Sequence, residues 1–343
     1  MTDSTPLLTG EAGGRAQSPQ ARAEVSAPAP KEPPARAPAG GHLRVLVATQ
    51  GTPSSLEACR VAARMLSPGV DEISLLTVLS YELYPFTFAG PQLSDAQRRS
   101  AVAAEAARRS LGEARGIFES AGHRVESSHD FGYAPDQIRA AILRRQPDLV
   151  VMGRWRPTTR RRFALGPVAR HVLQHAGIPI LLVGYRPGEP APEGERPRWG
   201  SRVLVATDGS ASALRTSRLA ARLLPPGAQI KVLAMLASPR PSSLPTPQRH
   251  RASGHAGGRQ GIEGMLRETA DIFHESGRCV FLRRRGGESP TEVLAEVRDW
   301  APDLLVVAGL PRPMPVAGKL AVARAMERML ARAHTPALVG GLP

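Results

Sequence analysis

Residues 202–210 read RVLVATDGS, and residues 44–52 read RVLVATQGT. Three further blocks recur in the same order along the chain. They are ISLLTVL at 73–79 with IKVLAML at 230–236, QPDLVVMG at 146–153 with APDLLVVAG at 301–309, and GIPILLVG at 177–184 with HTPALVG at 334–340. Four blocks that repeat in one order indicate an internal duplication of a whole structural unit.

Each half alternates short apolar runs with segments of helical spacing. The runs at 45–48 and 149–152 are continuously apolar, which is typical of parallel strands covered by helices on both faces. The segment from Ser54 to Leu66 carries apolar residues at helical spacing, and the segment that starts at Ser94 ends at Ala121-Gly122. We therefore predict an α/β fold of two tandem Rossmann-like domains, each a five-stranded parallel sheet flanked by about four helices.

The composition predicts where these domains begin and end. The chain has 343 residues, which is room for two domains of ordinary size. Residues 1–41 are rich in Ala, Pro, Gly and Ser and predict a disordered tail. Domain 1 is expected at 42–184, a Pro-rich linker at 185–200, and domain 2 at 201–343, with a flexible insertion at 238–261.

The charge balance is strongly basic, with a formal net charge of +15. Such a balance favours phosphate-bearing partners in general. The surplus is almost all arginine in a chain rich in Ala, Gly and Pro, which is typical of GC-rich coding. We therefore interpret the charge as compositional and do not expect nucleic acid as a partner, while polyanion binding stays open as an alternative.

The two cysteines, Cys59 and Cys279, lie in different halves and have no partner at metal or redox spacing. This predicts a reducing compartment and two buried, inert thiols. The first 38 residues lack the basic stretch and apolar run of a secretory signal, and no apolar run is long enough to span a bilayer. We expect a cytoplasmic protein with no membrane span.

The repeated blocks resemble the universal stress protein domain, twice over, at about residues 43–184 and 202–341. The resemblance rests on the strand ending at residues 206–210, on the block at 148–153 and on the closing strands that begin after a proline. It implies an adenine nucleotide alpha hydrolase-like fold, in which some members bind ATP and others do not. In the binders, an aspartate ends the first strand, near the base or ribose.

The same resemblance implies a phosphate loop after the fourth strand, with glycine, two residues, glycine, nine residues, glycine and then serine or threonine. Glycines let the backbone approach phosphate oxygens, and the next helix offers N–H donors at its N-terminus. The first half keeps Gly153 and Gly166 but has Gln50, Arg156 and Pro167 at three motif positions.

The second half keeps the aspartate, Asp208, after Thr207, and we align its loop from Gly309 with Arg312 at the second glycine position. Arginines beside the first loop are either solvated or act as phosphate ligands themselves. The candidate nucleotide-binding residues are Thr207, Asp208, Gly309, Gly153, Gly166, Arg154 and Arg156. ATP is the cofactor that the resemblance implies, with an affinity that the departures weaken or remove.

Other chemistry has little support in the sequence. His171 and His175 are spaced four apart, as in a chelating pair, but no third ligand lies nearby, so we predict no metal cofactor. Ser210 lies in no nucleophile motif and is interpreted as a helix N-cap. We identify no paired carboxylates, no general base and no magnesium ligands, so the protein is expected not to be an enzyme, with weak ATPase activity left open.

Three functions therefore stay open. The first is a nucleotide-binding stress regulator, the second a nucleotide-free interaction scaffold, and the third a polyanion-binding protein whose binding would fall steeply with salt. The family resemblance also implies that the two domains pair within the chain through their last strands. A further homodimer and a protein partner of unknown identity are left open.

Overall fold

The computed structural model describes residues 42–68, 71–79, 93–154, 165–184, 199–235, 259–283, 289–308, 329–330 and 335–341. The predicted tail at 1–41 lies outside the described residues, as do residues 185–198 of the linker and 238–258 of the insertion. No helix within the described residues is long and apolar enough to cross a bilayer.

The first half alternates strands and helices along the chain. Its elements are β1 (Arg44–Ala48), α1 (Pro53–Met65), β2 (Glu72–Leu79), α2 (Leu93–Ser120), β3 (Val125–Phe131), α3 (Ala134–Arg145), β4 (Leu149–Arg154), α4 (Pro167–His175) and β5 (Ile180–Gly184). Thr52 caps α1 by accepting the Ser55 N–H, and Pro53 occupies the first helical position. The start of α1 is thus encoded locally.

The second half repeats this order. Its elements are β6 (Arg202–Thr207), α5 (Ala211–Leu223), β7 (Gln229–Ala234), α6 (Arg259–His274), β8 (Cys279–Arg283), α7 (Ser289–Trp300), β9 (Leu304–Ala308) and β10 (Ala337–Val339). Ser210 caps α5 by accepting the Ala213 N–H at 3.2 Å. Because α6 begins at Arg259, residues 259–261 belong to a helix and not to the predicted insertion.

The strands form one ten-stranded sheet in the order β3-β2-β1-β4-β5-β10-β9-β6-β7-β8. Pairing is parallel within each half, which confirms the predicted fold class. The halves meet where β5 and β10 pair antiparallel, with Leu181 opposite Leu338. We call this junction the seam. It joins two parallel half-sheets whose strands run in opposite directions.

Helices cover both faces of the sheet. Alternate residues of β1 point to opposite faces, so Val45 and Val47 join one buried cluster while Leu46 joins the other. The first cluster packs under α1, α2, α5 and α6, and the second packs under α3, α4 and α7. Each cluster extends across the seam, so the two halves share both cores.

The seam also brings two backbone segments into close approach. A Cβ atom added at Gly341 would lie 2.4 Å from the carbonyl carbon and oxygen of Gly177, closer than real side chains come to backbone. Glycine is therefore required where the end of the second half crosses the first. This contact lies next to β10, whose strand pairing defines the seam.

The two cysteines differ in exposure, which corrects one expectation. Cys59 is buried in α1, and burial raises the pKa of its thiol to about 12. Cys279, at the start of the sheet-edge strand β8, is exposed, so the prediction of two buried thiols is wrong for this residue. The sequence missed this because Cys279 lies on β8, which is the last strand on that side of the sheet among the described residues.

We expect a maleimide reagent to label Cys279 within minutes in the native protein and to label Cys59 only after unfolding. The thiolate is the reacting species, and a buried thiol with a pKa near 12 supplies almost none at neutral pH. Mass spectrometry of the labelled peptides, with and without denaturant, measures the difference. Equal native labelling of both residues would contradict the buried position of Cys59.

Candidate functional site

A cavity of about 260 Å³ opens at the carboxyl ends of β1, β2 and β4 in the first half. Its polar wall comes from the turn between β1 and α1 and from the first turn of α1, and consists of Thr49, Gln50, Thr52, Ser54 and Ser55. Its apolar wall comes from the strands and from α3 and α4, and consists of Ala48, Leu76, Val78, Ala134, Ile138, Met152, Pro167, Val168 and Ala169. Gly153 and Gly166 complete the lining.

The cavity lies where the order of strands reverses. From β1 the chain moves outward to β2 and β3, then returns to β4 on the other side of β1. In open α/β sheets this reversal leaves a crevice beyond the carboxyl ends of the strands, and ligands bind there. The position of the cavity therefore follows from the topology.

Gly153 shapes the floor of the cavity at the end of β4. A Cβ atom added there would lie 2.6 Å from the carbonyl group of Ser54 and from the Ser55 nitrogen. Only glycine lets the first turn of α1 lie directly on β4. The structure therefore gives Gly153 a role in placing α1, in addition to its predicted place in the phosphate loop.

A chain of hydroxyl groups fixes the turn between β1 and α1. The Thr49 hydroxyl donates to Ser55 Oγ at 3.2 Å, and the Ser55 hydroxyl donates to the Thr52 carbonyl at 3.0 Å. Thr49 Oγ1 also accepts the N–H of Gly51, which has a positive φ of 68°. The polar wall is thus held by its own hydrogen bonds, while Gln50 stands exposed at the rim.

Helices α1 and α4 both begin at this cavity, as does α3, whose first residue Ala134 belongs to the apolar wall. α1 begins after Thr52 and α4 begins after Gly166, and both of these residues line the cavity. Gly166 has no side chain to accept an N–H from the first turn of α4. The N-terminus of a helix carries partial positive charge and outward N–H groups, so two of them together favour an anionic ligand.

The structure brings Gly153 and Gly166 together at the cavity but places Arg154 elsewhere. Arg154 is 3% exposed, and its guanidinium donates hydrogen bonds to the carbonyls of Leu330 and Thr335, the latter at 3.1 Å. This corrects the expectation that Arg154 is a phosphate ligand, because its side chain reaches across to the second half. Arg156 lies outside the described residues.

A family model described as the Universal stress protein family matches residues 42–184 and again residues 201–339. The chain belongs to the universal stress protein family. It carries the domain twice, as the repeated blocks predict. No significant match to a curated protein was found.

Solved structures of universal stress proteins resemble this chain. One from Archaeoglobus fulgidus DSM 4304 has a TM-score of 0.60 at 18% identity and covers 87% of this chain and 96% of its own. A universal stress protein family protein from Arabidopsis thaliana with AMP bound has a TM-score of 0.32 at 21% identity. The match covers 43% of this chain and 98% of the Arabidopsis chain. UspA from Lactobacillus plantarum has a TM-score of 0.34 at 16% identity, and the match covers 42% of this chain and 97% of the UspA chain. The first comparison supports the tandem fold.

In the second domain of this universal stress protein, Thr207 is the last residue of β6 and Asp208 follows it directly. Thr207 is fully buried, and its Oγ1 accepts the Gly209 N–H at 3.1 Å and lies 3.4 Å from Thr269 Oγ1. Asp208 Oδ1 accepts the Ser210 N–H at 3.0 Å. Thr207 therefore repeats the bond that Thr49 makes, and Asp208 stabilises the start of α5.

The strand register shifts the alignment of the second phosphate loop. Ala48 of β1 pairs with Met152, and the equivalent Ala206 of β6 pairs with Val307. The next residue is Gly153 in the first domain and Ala308 in the second. Gly309, which we aligned with Gly153, therefore stands one position later, and it lies outside the described residues.

Sequence reasoning missed the hydroxyl residues of the polar wall. Thr49, Ser54 and Ser55 line the cavity but belong to no glycine motif. A signal was available, because Thr49 follows directly on the carboxyl end of a predicted strand and Ser54 and Ser55 lie in the first turn of the next helix. These positions face the ligand in this class of fold.

The two histidines of α4 stack on each other. Their ring centroids lie 4.3 Å apart, and the Nδ1–H of His175 donates to the His171 carbonyl at 2.8 Å. The pKa of His171 is lowered mainly by burial and, to a smaller extent, by electrostatic repulsion from the neighbouring His175. Within the described residues no three His, Cys, Asp or Glu side chains lie close enough together to hold a metal ion.

Proposed function

We propose that this universal stress protein is a regulatory binding protein, not an enzyme, and that its first domain holds an adenine nucleotide. The observation that carries the proposal is the cavity of the first domain, with the N-termini of α1 and α4 on its lining. One such N-terminus already favours a phosphate group, and two give a site of clear anionic preference.

The cavity has the composition that a nucleotide requires. Its volume of about 260 Å³ is just below the usual range of about 300–1,000 Å³ for small-molecule sites, which suits a nucleoside with its phosphates extending outward. Apolar side chains such as Leu76, Ile138 and Met152 offer a surface for a base. Thr52 and Gly166, at the two helix starts, would lie nearest the phosphates.

The rim residue Gln50 supports a first-domain site that differs from that of the aspartate-bearing binders. Its neutral amide can donate and accept hydrogen bonds, whereas the carboxylate of Asp208 can only accept. In the second domain that carboxylate already accepts the Ser210 N–H. Thr207 and Asp208 therefore remain proposals for a second and weaker site.

Calorimetric titration with ATP tests the proposal in the full chain. We expect a higher-affinity saturable site in the first domain, which Gln50→Ala weakens by about 3- to 10-fold because one hydrogen bond of about 0.5–1.5 kcal/mol is lost. Asp208→Ala, the change at the equivalent position of the other domain, serves as the matched control and should leave this affinity unchanged. Adenine compounds released from the denatured, freshly purified protein provide a second readout.

Two results would reject the first-domain assignment. Absence of both saturable heat and co-purified nucleotide would favour the interaction scaffold, in which paired domains bind only protein partners. Weakening by Asp208→Ala and not by Gln50→Ala would move the site to the second domain.

A further inference from the structure

The strand β8 carries two exposed apolar side chains at one side of the sheet. Among the described residues β8 is the last strand on that side, as β3 is on the other. Phe281 is 53% exposed and Leu282 is 48% exposed. Because the two residues are adjacent in a strand, their side chains point to opposite faces of the sheet. β8 therefore presents apolar surface on both faces.

Neighbouring contacts identify the two faces. Val280 packs against the buried cluster under α5 and α6, and Leu282 lies on the same face because side chains alternate along a strand. Arg283 pairs with Glu296 of α7 at 3.8 Å, which places Phe281 on the α7 face. A partner of this strand must therefore supply apolar side chains to both faces.

The duplication provides a direct comparison, because β3 holds the equivalent edge of the first half. The register puts Val125 and Val280 at the same position, since each pairs with the isoleucine that opens its repeated block. The two positions that follow are polar in β3 and apolar in β8: Glu126 and Ser127 against Phe281 and Leu282. Polar and charged side chains protect a sheet edge from pairing with another chain. β3 has this protection at both positions and β8 at neither.

The sequence of β8 is complementary to itself in an antiparallel pair. Centred on Phe281, such a pair places Phe281 opposite the same residue of a second copy and Val280 opposite Leu282. Residues directly opposite one another lie on the same face, so apolar side chains meet on both faces. Arg283 falls opposite Cys279, which keeps the two arginines at opposite ends of the pair.

The same arrangement of β3 would be unfavourable. An antiparallel pair of two β3 strands, centred on Ser128, places Glu126 opposite Asp130. Two carboxylates would then face each other at both ends of the pair, and like charges directly opposite destabilise a sheet. A second copy of this chain therefore fits β8 and does not fit β3.

The seam is a precedent within this chain for such a junction. There a parallel half-sheet accepts an antiparallel neighbour along three residue pairs, with Leu181 opposite Leu338. β8 offers five residues for pairing. A twofold axis perpendicular to the sheet would join two ten-stranded sheets into one and keep equivalent faces together, as the two halves do at the seam.

We propose that β8 is a dimerisation edge, at which two copies of this chain pair antiparallel about Phe281. The contact lies in the second domain and does not depend on the nucleotide site of the first. Because the paired segment is short, the dimer forms and dissociates with protein concentration.

Sedimentation equilibrium of the full chain over a concentration series tests the proposal. We expect the mass of a dimer at high concentration and the mass of a monomer on dilution. Phe281→Glu gives β8 the residue that β3 has at this position and puts two carboxylates opposite each other in the dimer. This change should weaken self-association at least ~10-fold.

Val102→Glu is the matched control, because Val102 is an exposed apolar residue on α2 of the first domain. It should leave self-association unchanged. Both substitutions replace exposed side chains, so both variants should fold, and circular dichroism verifies this. A monomer at every concentration, or equal weakening by the two changes, would overturn the proposal.

Cross-linking tests the register independently. Phe281→Cys, made together with Cys279→Ser, puts two thiols opposite each other at a Cα separation of about 4.5–5.5 Å, which a disulfide can bridge. Mild oxidation should give a covalent dimer on a non-reducing gel. The unchanged protein should give none, because its two Cys279 residues lie about 14 Å apart along the pair at about 3.4 Å per residue. Cross-linking through Cys279, or none through Phe281→Cys, would overturn the proposed pairing.

Discussion

Gly153→Ala is expected to abolish measurable ATP binding and to lower the free energy of unfolding by about 1–3 kcal/mol, the usual cost of overpacking a closed interior. The added methyl group would lie 2.6 Å from the backbone of Ser54 and Ser55. Backbone cannot rotate away as a flexible side chain can, so the first turn of α1 must move off β4. That movement displaces Thr52 and Ser54, which form the polar wall of the cavity.

Urea denaturation and calorimetry with ATP measure the two effects of Gly153→Ala. Gly116→Ala is the matched control, because an added Cβ at Gly116 meets nothing within 4 Å and the residue lies inside helix α2. This control should gain about 0.5–1 kcal/mol from helix propensity and bind ATP normally. A Gly153→Ala protein with unchanged stability would show that α1 does not rest on β4 as described.

Arg154→Met is expected to lower the free energy of unfolding by about 2–4 kcal/mol, because hydrogen bonds to charged groups contribute about 1.5–3 kcal/mol each without being additive. Methionine fills part of the same volume but donates nothing to the carbonyls of Leu330 and Thr335. The lost hydrogen bonds lie beside the seam. The variant should therefore reduce hydrogen-exchange protection at residues 335–341 more than at the distant strand β3.

Arg109→Met provides the comparison for this variant. Arg109 is exposed on α2, and its replacement should change stability by no more than about 0.5 kcal/mol. If Arg154→Met and Arg109→Met cost the same, the guanidinium of Arg154 does not hold the seam. Loss of protection spread evenly over all strands would indicate a general effect of burial and not a local one.

The fold could be predicted from the sequence because its determinants are local and repeated. Continuous apolar runs such as residues 149–152 predict buried parallel strands, and Ser210 predicts the start of α5. Because the domain is duplicated, each of these patterns occurs twice in the sequence and supports the same prediction twice. The edge strand β8 was the exception, because the exposure of Cys279 depends on which strand ends the sheet.

The site was predicted only in part, and the reason is again physical. Gly153 and Gly166 could be identified from their spacing, and the structure places both at the cavity. The direction of the Arg154 side chain could not be predicted, because its hydrogen-bond partners lie 176 and 181 residues away. The hydroxyl wall was missed because threonine and serine after a strand are interpreted as ordinary turn and cap residues.

The seam has a consequence for how these two domains respond to dilution. When two separate subunits share a sheet, mass action makes their pairing depend on protein concentration. Here β5 and β10 belong to one polypeptide, so each half meets the other at an effective concentration set by the connecting chain. The pairing therefore persists at any expression level. The two halves also need not be identical, as the subunits of a homodimer are, because a residue such as Arg154 can be substituted in one half alone.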